Sequence, residues 1–353
     1  MDDALKLPKQ LPSDTHEVVV LLEAVHLPLE DLDTAPRSHE LISYPRAFTA
    51  DEIRERIQCA SIVVAPQAKI TPESLGEAKY LKFVVTPSAG TNHIDLDECR
   101  RRGIKVANCP GSTSLAVPEH ALSLYFAARR KTVIMHDAVR SVDENGGNVW
   151  KRKHSAAYMM ETANGQRPLA LQQEVAGIIG YGLIGRGIEK LCRGLGMEVL
   201  ILERKHSDGA KTGGSQIDRV PFEEGIRRSS VLFLCCTVDE SARNTIDKAE
   251  LALMRPEMVI VNVSRGIVMN TSAVVEALRS KQISGVAVDV FDEEPATSAK
   301  DSAFLAEDTR DLNLTFSPHV GYNSTQTISI MKSMVKQKIK QYVSGDSTGF
   351  AVK

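Results

Sequence analysis

Short runs of apolar and β-branched residues at 17–22, 61–65, 81–86 and 104–107 alternate with polar, helix-like stretches such as 50–57 and 96–102. Apolar runs of strand length that alternate with helical segments predict βα units and a parallel sheet. Pro118 and Glu119 then open a long amphipathic segment that reaches residue 130. Proline suits the first turn of a helix, where its missing N–H breaks no bond, so the segment is predicted helical. The stretch 143–173 lacks a period. It holds Asn145-Gly146-Gly147, the only tryptophan, Trp150, a basic patch and Asn164-Gly165, and it predicts an arm or an excursion between domains. A second βα series follows, with strands expected at 174–180, 198–202, 231–236, 258–263, 284–290 and 312–316 and a helix at 185–195. A final helix-like run at 327–343 is expected to fold back on the first domain. The pattern is that of an α/β protein with two sheets, without a fixed-period repeat.

Size and charge narrow the reading. At about 150 residues per domain, a chain of 353 fits two domains and buries a sizeable core unaided. The 43 Lys and Arg against 45 Asp and Glu leave a formal charge of −2, and the basic clusters at 100–102, 129–131 and 151–153 are short. This excludes nucleic acid as the expected partner. The first ten residues lack the charged-then-apolar order of a secretory signal, and no run approaches the ~18 apolar residues of a membrane span, so a cytoplasmic protein is expected. The six cysteines form neither a CxxC nor a zinc-like group with histidine; they read as reduced thiols, the vicinal Cys235 and Cys236 included, and no metal site is expected.

Chemistry first enters between the strand at 175–179 and the helix after it. There Gly180, Gly182 and Gly185 stand as G-x-G-x-x-G, with Leu183 and Ile184 inside the motif, and the next strand ends at Glu203. The first glycine permits a tight turn, the second lets backbone approach a pyrophosphate, and the third lets helix and strand pack closely, while the helix N-terminus faces the anion. An acidic residue at the end of the second strand accepts hydrogen bonds from a ribose diol and repels a 2′-phosphate, which favours NAD(H). Arg204 and Lys205 could neutralise such a phosphate, so NADP(H) stays open.

Four further blocks carry a resemblance. They are SAGTNHID at 88–95, VPEHALSL at 117–124, VNVSRG at 261–266, and GVAVDVFDEEP at 285–295 leading to SPHVG at 317–321. With the dinucleotide segment they make nearly the whole chain similar to the D-isomer-specific 2-hydroxyacid dehydrogenase family. The Glu203-Arg204-Lys205 junction suggests its glyoxylate and hydroxypyruvate reductases.

The resemblance implies reduction of a small 2-oxo acid to the D-2-hydroxy acid, with Arg265, Glu294 and His319 catalytic. Such a reaction needs a cation for the carboxylate and carbonyl, a hydride donor over one face, and an acid for the emerging alkoxide. Arginine offers a planar fork that stays charged, and a histidine backed by a carboxylate is held as the acid. Charge alone does not choose among Asp292, Glu293 and Glu294; the family register selects Glu294. By resemblance, Ala89 and Gly90 join Arg265 in binding substrate. Cofactor contacts fall on the glycine motif, Leu183, Ile184, Glu203, Arg204, Lys205, Cys236, Val263, Ser264, Asp289, His319 and Gly321. Asp289 is expected within the strand, facing the carboxamide of the nicotinamide or, alternatively, paired with a neighbouring loop. His120 keeps an ordinary structural reading. The implied architecture is a flavodoxin-like substrate domain at 1–111 and 325–353 and a Rossmann domain at 112–324, with the active site in the cleft between them. A homodimer through the nucleotide domains, to which Trp150 and 117–130 contribute, is also implied. The alternative is an NADH-sensing scaffold similar to the C-terminal-binding corepressors, on the same fold.

Overall fold

Strands form where aliphatic and β-branched residues run without polar interruption, because a strand covered on both faces of a parallel sheet has no polar side. β1 (His16–Leu21), β3 (Ile62–Val64) and β4 (Phe83–Val85) are buried throughout. With β2 (Ser38–Ser43) and β5 (Lys105–Ala107) they make a parallel sheet ordered β2-β1-β3-β4-β5, in register His16 to Ser38 and Val19 to Ile62. This is the flavodoxin-like order. β2 is absent from the sequence expectation for a physical reason: SHELIS sits on a sheet edge with only Ile42 buried, so it lacks an apolar run.

The computed structural model describes residues 4–47, 49–205, 217–237 and 242–353. The chain divides into two units, Met1–Thr113 with Asn323–Lys353, and Ser114–Tyr322. In the first, α1 (Ala50–Ile57) starts at a capping box in which Thr49 and Glu52 satisfy each other's backbone amides. α2 (Pro72–Leu75) and α3 (Leu96–Arg101) follow the next strands. The C-terminal helix (Thr325–Val343) packs on β4, where the Tyr342 ring stacks on Phe83 at 4.6 Å between centroids.

The second unit opens with α4 (Ala116–Arg129). Two helices unforeseen in the sequence follow: α5 (Thr132–Arg140), just before the region expected to be irregular, and α6 (Val149–Lys153), inside it. β6 (Val175–Ile179), α7 (Leu183–Gly194) and β7 (Glu198–Ile201) come next, then α8 (Phe222–Arg228), β8 (Val231–Leu234), α9 (Lys248–Leu251), β9 (Val259–Asn262), α10 (Thr271–Arg279), β10 (Gly285–Val288) and β11 (Leu314–Phe316). The parallel order is β11-β10-β9-β8-β6-β7. Along β8 the side chains alternate, Leu232 and Leu234 packing with α8 to α10, Val231 and Phe233 with α4 and α7. The order reverses between β6 and β8, and crevices at such switch points take ligands at the carboxyl ends of the strands. α4 is anchored by a buried ion pair, Arg129 Nε to Glu174 Oε1 at 2.6 Å, which also accepts from Tyr125 Oη at 3.0 Å.

Two strands end a full two residues earlier than the sequence suggests. β8 stops at Leu234, which places Cys235 and Cys236 on the following loop, and β10 stops at Val288, which places Asp289 beyond the strand. In both cases the next side chain leaves the ladder to bind loop backbone: Cys235 Sγ lies 3.0 Å from Gly180 O, and the Asp289 carboxylate binds amides near β11. All six cysteines are free thiols.

Candidate active site

The turn from β6 into α7 is built by its glycines. Gly180 has φ +93°, and a Cβ there would stand 2.3 Å from Cys236 Cα; one on Gly185 would stand 2.2 Å from Gly180 O. These two glycines therefore make the turn itself. Gly182, the N-cap of α7, is exposed and has nothing within 4 Å of its Cβ position. It keeps open ground in front of the helix amides, which fits a pyrophosphate. Leu183 is exposed on the first turn, Ile184 is half-buried, and Arg186 lies over the Tyr181 ring.

At the end of β7 the half-buried Glu203 carboxylate has no hydrogen-bond or ion-pair partner among the described residues. Lys205 is differently placed: its Nζ lies 2.9 Å from Glu250 Oε1 and within 3.3 Å of the Asn244 and Thr245 carbonyls. Its charge is already matched. Arg204 is exposed beside it. Cys236 lies against Gly180, and Val263 and Ser264, both buried, follow β9, Ser264 being held by its N–H on Asn262 Oδ1 at 3.0 Å.

Arg265 comes next, at the carboxyl end of β9. Its guanidinium donates to Ser264 O at 2.7 Å, and among the described residues it forms no ion pair. Burial lowers its pKa from the usual value, a shift opposed by the nearby Glu294 charge. A half-buried guanidinium with donors to spare is suited to a carboxylate ligand. Gly266 shows how two loops are joined, because a Cβ at this position would stand 2.1 Å from the Phe291 carbonyl group. Only glycine lets the Arg265 loop lie on the backbone that leads to Glu294.

His319 and Glu294 face each other. His319 Nδ1 lies 2.6 Å from Glu294 Oε2, and Glu294 Oε1 accepts from Phe291 N at 2.9 Å. Burial would raise the Glu294 carboxyl, but the His319 hydrogen bond and charge, the Phe291 amide and Arg265 outweigh it and leave the carboxyl below its ordinary value. Asp292 is engaged elsewhere, accepting from Thr271 at 2.9 Å and Ser302 at 2.8 Å, so geometry separates Glu294 from its acidic neighbours. His319 Nε2 has no partner among the described residues, and its backbone is left-handed at φ +52°.

Asp289, 4 % exposed, gathers the chain around His319. Its carbonyl accepts from His319 N at 2.8 Å, Oδ1 from Val320 N at 3.0 Å and Ser317 Oγ at 2.6 Å, and Oδ2 from Gly321 N at 2.9 Å. The carboxylate is therefore bound largely to its own protein, and Oδ2 keeps one acceptor position. His120 of α4 joins through Nε2, 2.7 Å from Ser317 Oγ and 3.3 Å from Asp289 Oδ1. His120 and Ser317 stand in two of the blocks quoted above, but nothing in the sequence pairs them, because their meeting depends on how α4 lies on the sheet. Ala89 and Gly90 belong to the other unit, on the loop after β4, where Asn108 Nδ2 donates to Ala89 O and Ser88 Oγ to Gly90 O at 2.6 Å.

A doubly wound sheet with a glycine turn at its switch point, and an arginine and a carboxylate-backed histidine at its strand ends, has the make-up of a nicotinamide-dependent dehydrogenase. The model of the D-isomer specific 2-hydroxyacid dehydrogenase NAD binding domain matches residues 124–321, more than half of the chain, and the chain belongs to this family. It is 29% identical over 329 residues to a glycerate dehydrogenase of Methylorubrum extorquens, covering 92% of this chain and 96% of that one. A glyoxylate reductase of Thermococcus litoralis is 28% identical over 310 residues, 86% of this chain and 85% of the relative. The solved D-lactate dehydrogenase of Aquifex aeolicus has the same fold, with TM-score 0.68, 21% identity and coverage of 95% and 99%. The protein is thus an NAD-dependent oxidoreductase of small 2-oxo and D-2-hydroxy acids. No helix among the described residues is long and apolar enough to cross a membrane.

Proposed function

We propose that the chain reduces a short 2-oxo acid of the glyoxylate or hydroxypyruvate class to its D-2-hydroxy acid with NADH. The observation that carries this reading is the 2.6 Å contact of His319 Nδ1 with Glu294 beside the half-buried Arg265, which has no ion-pair partner among the described residues. A dihydronicotinamide cofactor held by the glycine turn and Glu203 would supply the hydride. Arg265 holds the substrate carboxylate and polarises the carbonyl oxygen. Glu294 stabilises the imidazolium of His319 and aims Nε2, which gives its proton to that oxygen as the C–H bond forms, leaving neutral His319 and a hydroxy acid. Ala89 and Gly90 are assigned to the substrate carboxylate on the resemblance alone. Glu203 receives the adenosine ribose diol, and the engagement of Lys205 by Glu250 favours NAD(H) over NADP(H).

The test crosses NADH and NADPH with glyoxylate, hydroxypyruvate, pyruvate and longer 2-oxo acids while nicotinamide absorbance is followed. Arg265→Ala is expected to reduce kcat/KM at least ~100-fold, as loss of an anion-stabilising group does, with NADH affinity unchanged. Unchanged absorbance with every acid, combined with NADH-dependent capture of peptides, would favour the scaffold alternative instead. Val133, Val139, Val142 and Trp150 are 44, 43, 62 and 57 % exposed, which supports a homodimer made through this region, to be checked by sedimentation. Six free thiols suit the cytoplasm, which cell fractionation tests.

A further inference from the structure

The hydrogen-bond directions around Asp289 are fixed by simple accounting. A carboxylate only accepts, so Ser317 Oγ, 2.6 Å from Oδ1, must donate its single hydrogen there. The serine oxygen can then only accept from His120 Nε2 at 2.7 Å, which makes Nε2 the protonated nitrogen of His120. The result is a directed chain, His120 N–H to Ser317 O–H to Asp289, that ends on the residue holding the amides of His319, Val320 and Gly321. Those three amides shape a turn that is otherwise unfavourable, since His319 holds the left-handed backbone that non-glycine residues avoid. Gly321 allows close approach: a Cβ there would lie 2.8 Å from Asp289 Oδ2 and 3.0 Å from His120 Cδ2. Packing of α4 does not require an imidazole at this position, because buried Val117, Ala121, Leu122, Leu124 and Tyr125 already seat the helix.

We infer that His120 is a positioning residue of the reduction, acting through Ser317 and Asp289 to hold the turn that aims His319. Glu294 fixes one nitrogen of the His319 ring, and the His120 chain fixes the backbone from which the ring projects. The inference rests on the assignment of His319 as the proton donor. Displacement of a reacting group by about 1 Å can cost on the order of 100-fold in rate, so a partial loosening is expected to lower kcat by about tenfold.

The experiment compares His120→Phe, His120→Gln, Ser317→Ala and the double variant His120→Phe/Ser317→Ala in the full chain, with His319→Asn as reference. Glyoxylate and hydroxypyruvate are the substrates, NADH affinity is read by fluorescence, and stability by thermal melting. His120→Phe is expected to lower kcat by about tenfold with KM and NADH affinity nearly unchanged. His120→Gln carries an amide N–H where Nε2 stood and is expected to recover most of kcat. The double variant should be no slower than the slower single one, because both break one chain. Wild-type kcat in His120→Phe, equal loss in the Gln and Phe variants, or additive losses in the double variant would each overturn the inference. Should His120→Phe fail to fold, Ser317→Ala decides: a tenfold loss supports the inference and wild-type kcat overturns it. Normal turnover in His319→Asn defeats the proton-donor assignment itself, whereas an inactive His319→Asn with a normal His120→Phe defeats only the inference.

Discussion

The three glycines of the β6–α7 turn should separate cleanly when each is replaced by alanine. At Gly185 the new methyl group would stand 2.2 Å from Gly180 O, and at Gly180 it would stand 2.3 Å from Cys236 Cα on a backbone of φ +93°. Both obstacles are main chain and cannot swing aside. The cost should reach the upper end of overpacking, about 3 kcal/mol, or a fall of about 6–12 °C in melting temperature for a unit of this size. At Gly182 the methyl group meets nothing within 4 Å. Weaker capping by alanine is offset by the roughly 0.4–1 kcal/mol gained from a stiffer unfolded chain, so the apo melting temperature should hold to within about 2 °C. NADH affinity should behave in the opposite way, because the methyl group occupies the approach to the helix amides. Losing one charge-assisted hydrogen bond of about 1.5–3 kcal/mol weakens binding roughly 10- to 100-fold. Thermal melting without cofactor and fluorescence titration with NADH read the two effects separately. A Gly182→Ala protein that binds NADH like wild type, or that melts as low as Gly185→Ala, would refute this assignment of fold to the outer glycines and ligand to the middle one.

Other outcomes follow from the same geometry. Glu174→Ala strands the buried Arg129 guanidinium and should cost about 3–5 kcal/mol in urea unfolding; a cost under 1 kcal/mol would show that the pair is not needed. The Glu294 carboxyl lies below its ordinary 4.5 in the folded protein, so its stabilisation is complete above that value and is lost as pH falls through the depressed one. The gap in denaturation midpoint between wild type and Glu294→Gln should therefore narrow below about pH 4, and a gap that widens in acid would contradict this sign. Glu203→Gln should move the NADH-to-NADPH ratio of kcat/KM toward NADPH by about tenfold, and an unchanged ratio would remove Glu203 from coenzyme choice.

What could be read in advance depended on whether a feature is local. Strands covered on both faces, such as β8 and β9, appear as unbroken apolar words, so the α/β class and both sheets were legible. β2 was not, because an edge strand mixes polar and apolar positions, and α5 and α6 were concealed in a stretch with no buried side chains to give a period. The dinucleotide turn was legible because its glycines are adjacent in the chain. The types and order of Arg265, Glu294 and His319 could be named, but which ring nitrogen meets which carboxylate could not. The link from His120 through Ser317 to Asp289 spans distant segments and has no local signature.

The contact of Gly266 with the Phe291 carbonyl has a wider consequence. In the proposed mechanism, the arginine that holds the anion and the glutamate that aims the His319 ring are seated on two loops pressed together main chain to main chain, so neither can be retuned by shifting its support without dislodging the other. A lineage built on this seam would keep its chemistry constant and diversify its choice of substrate through residues elsewhere.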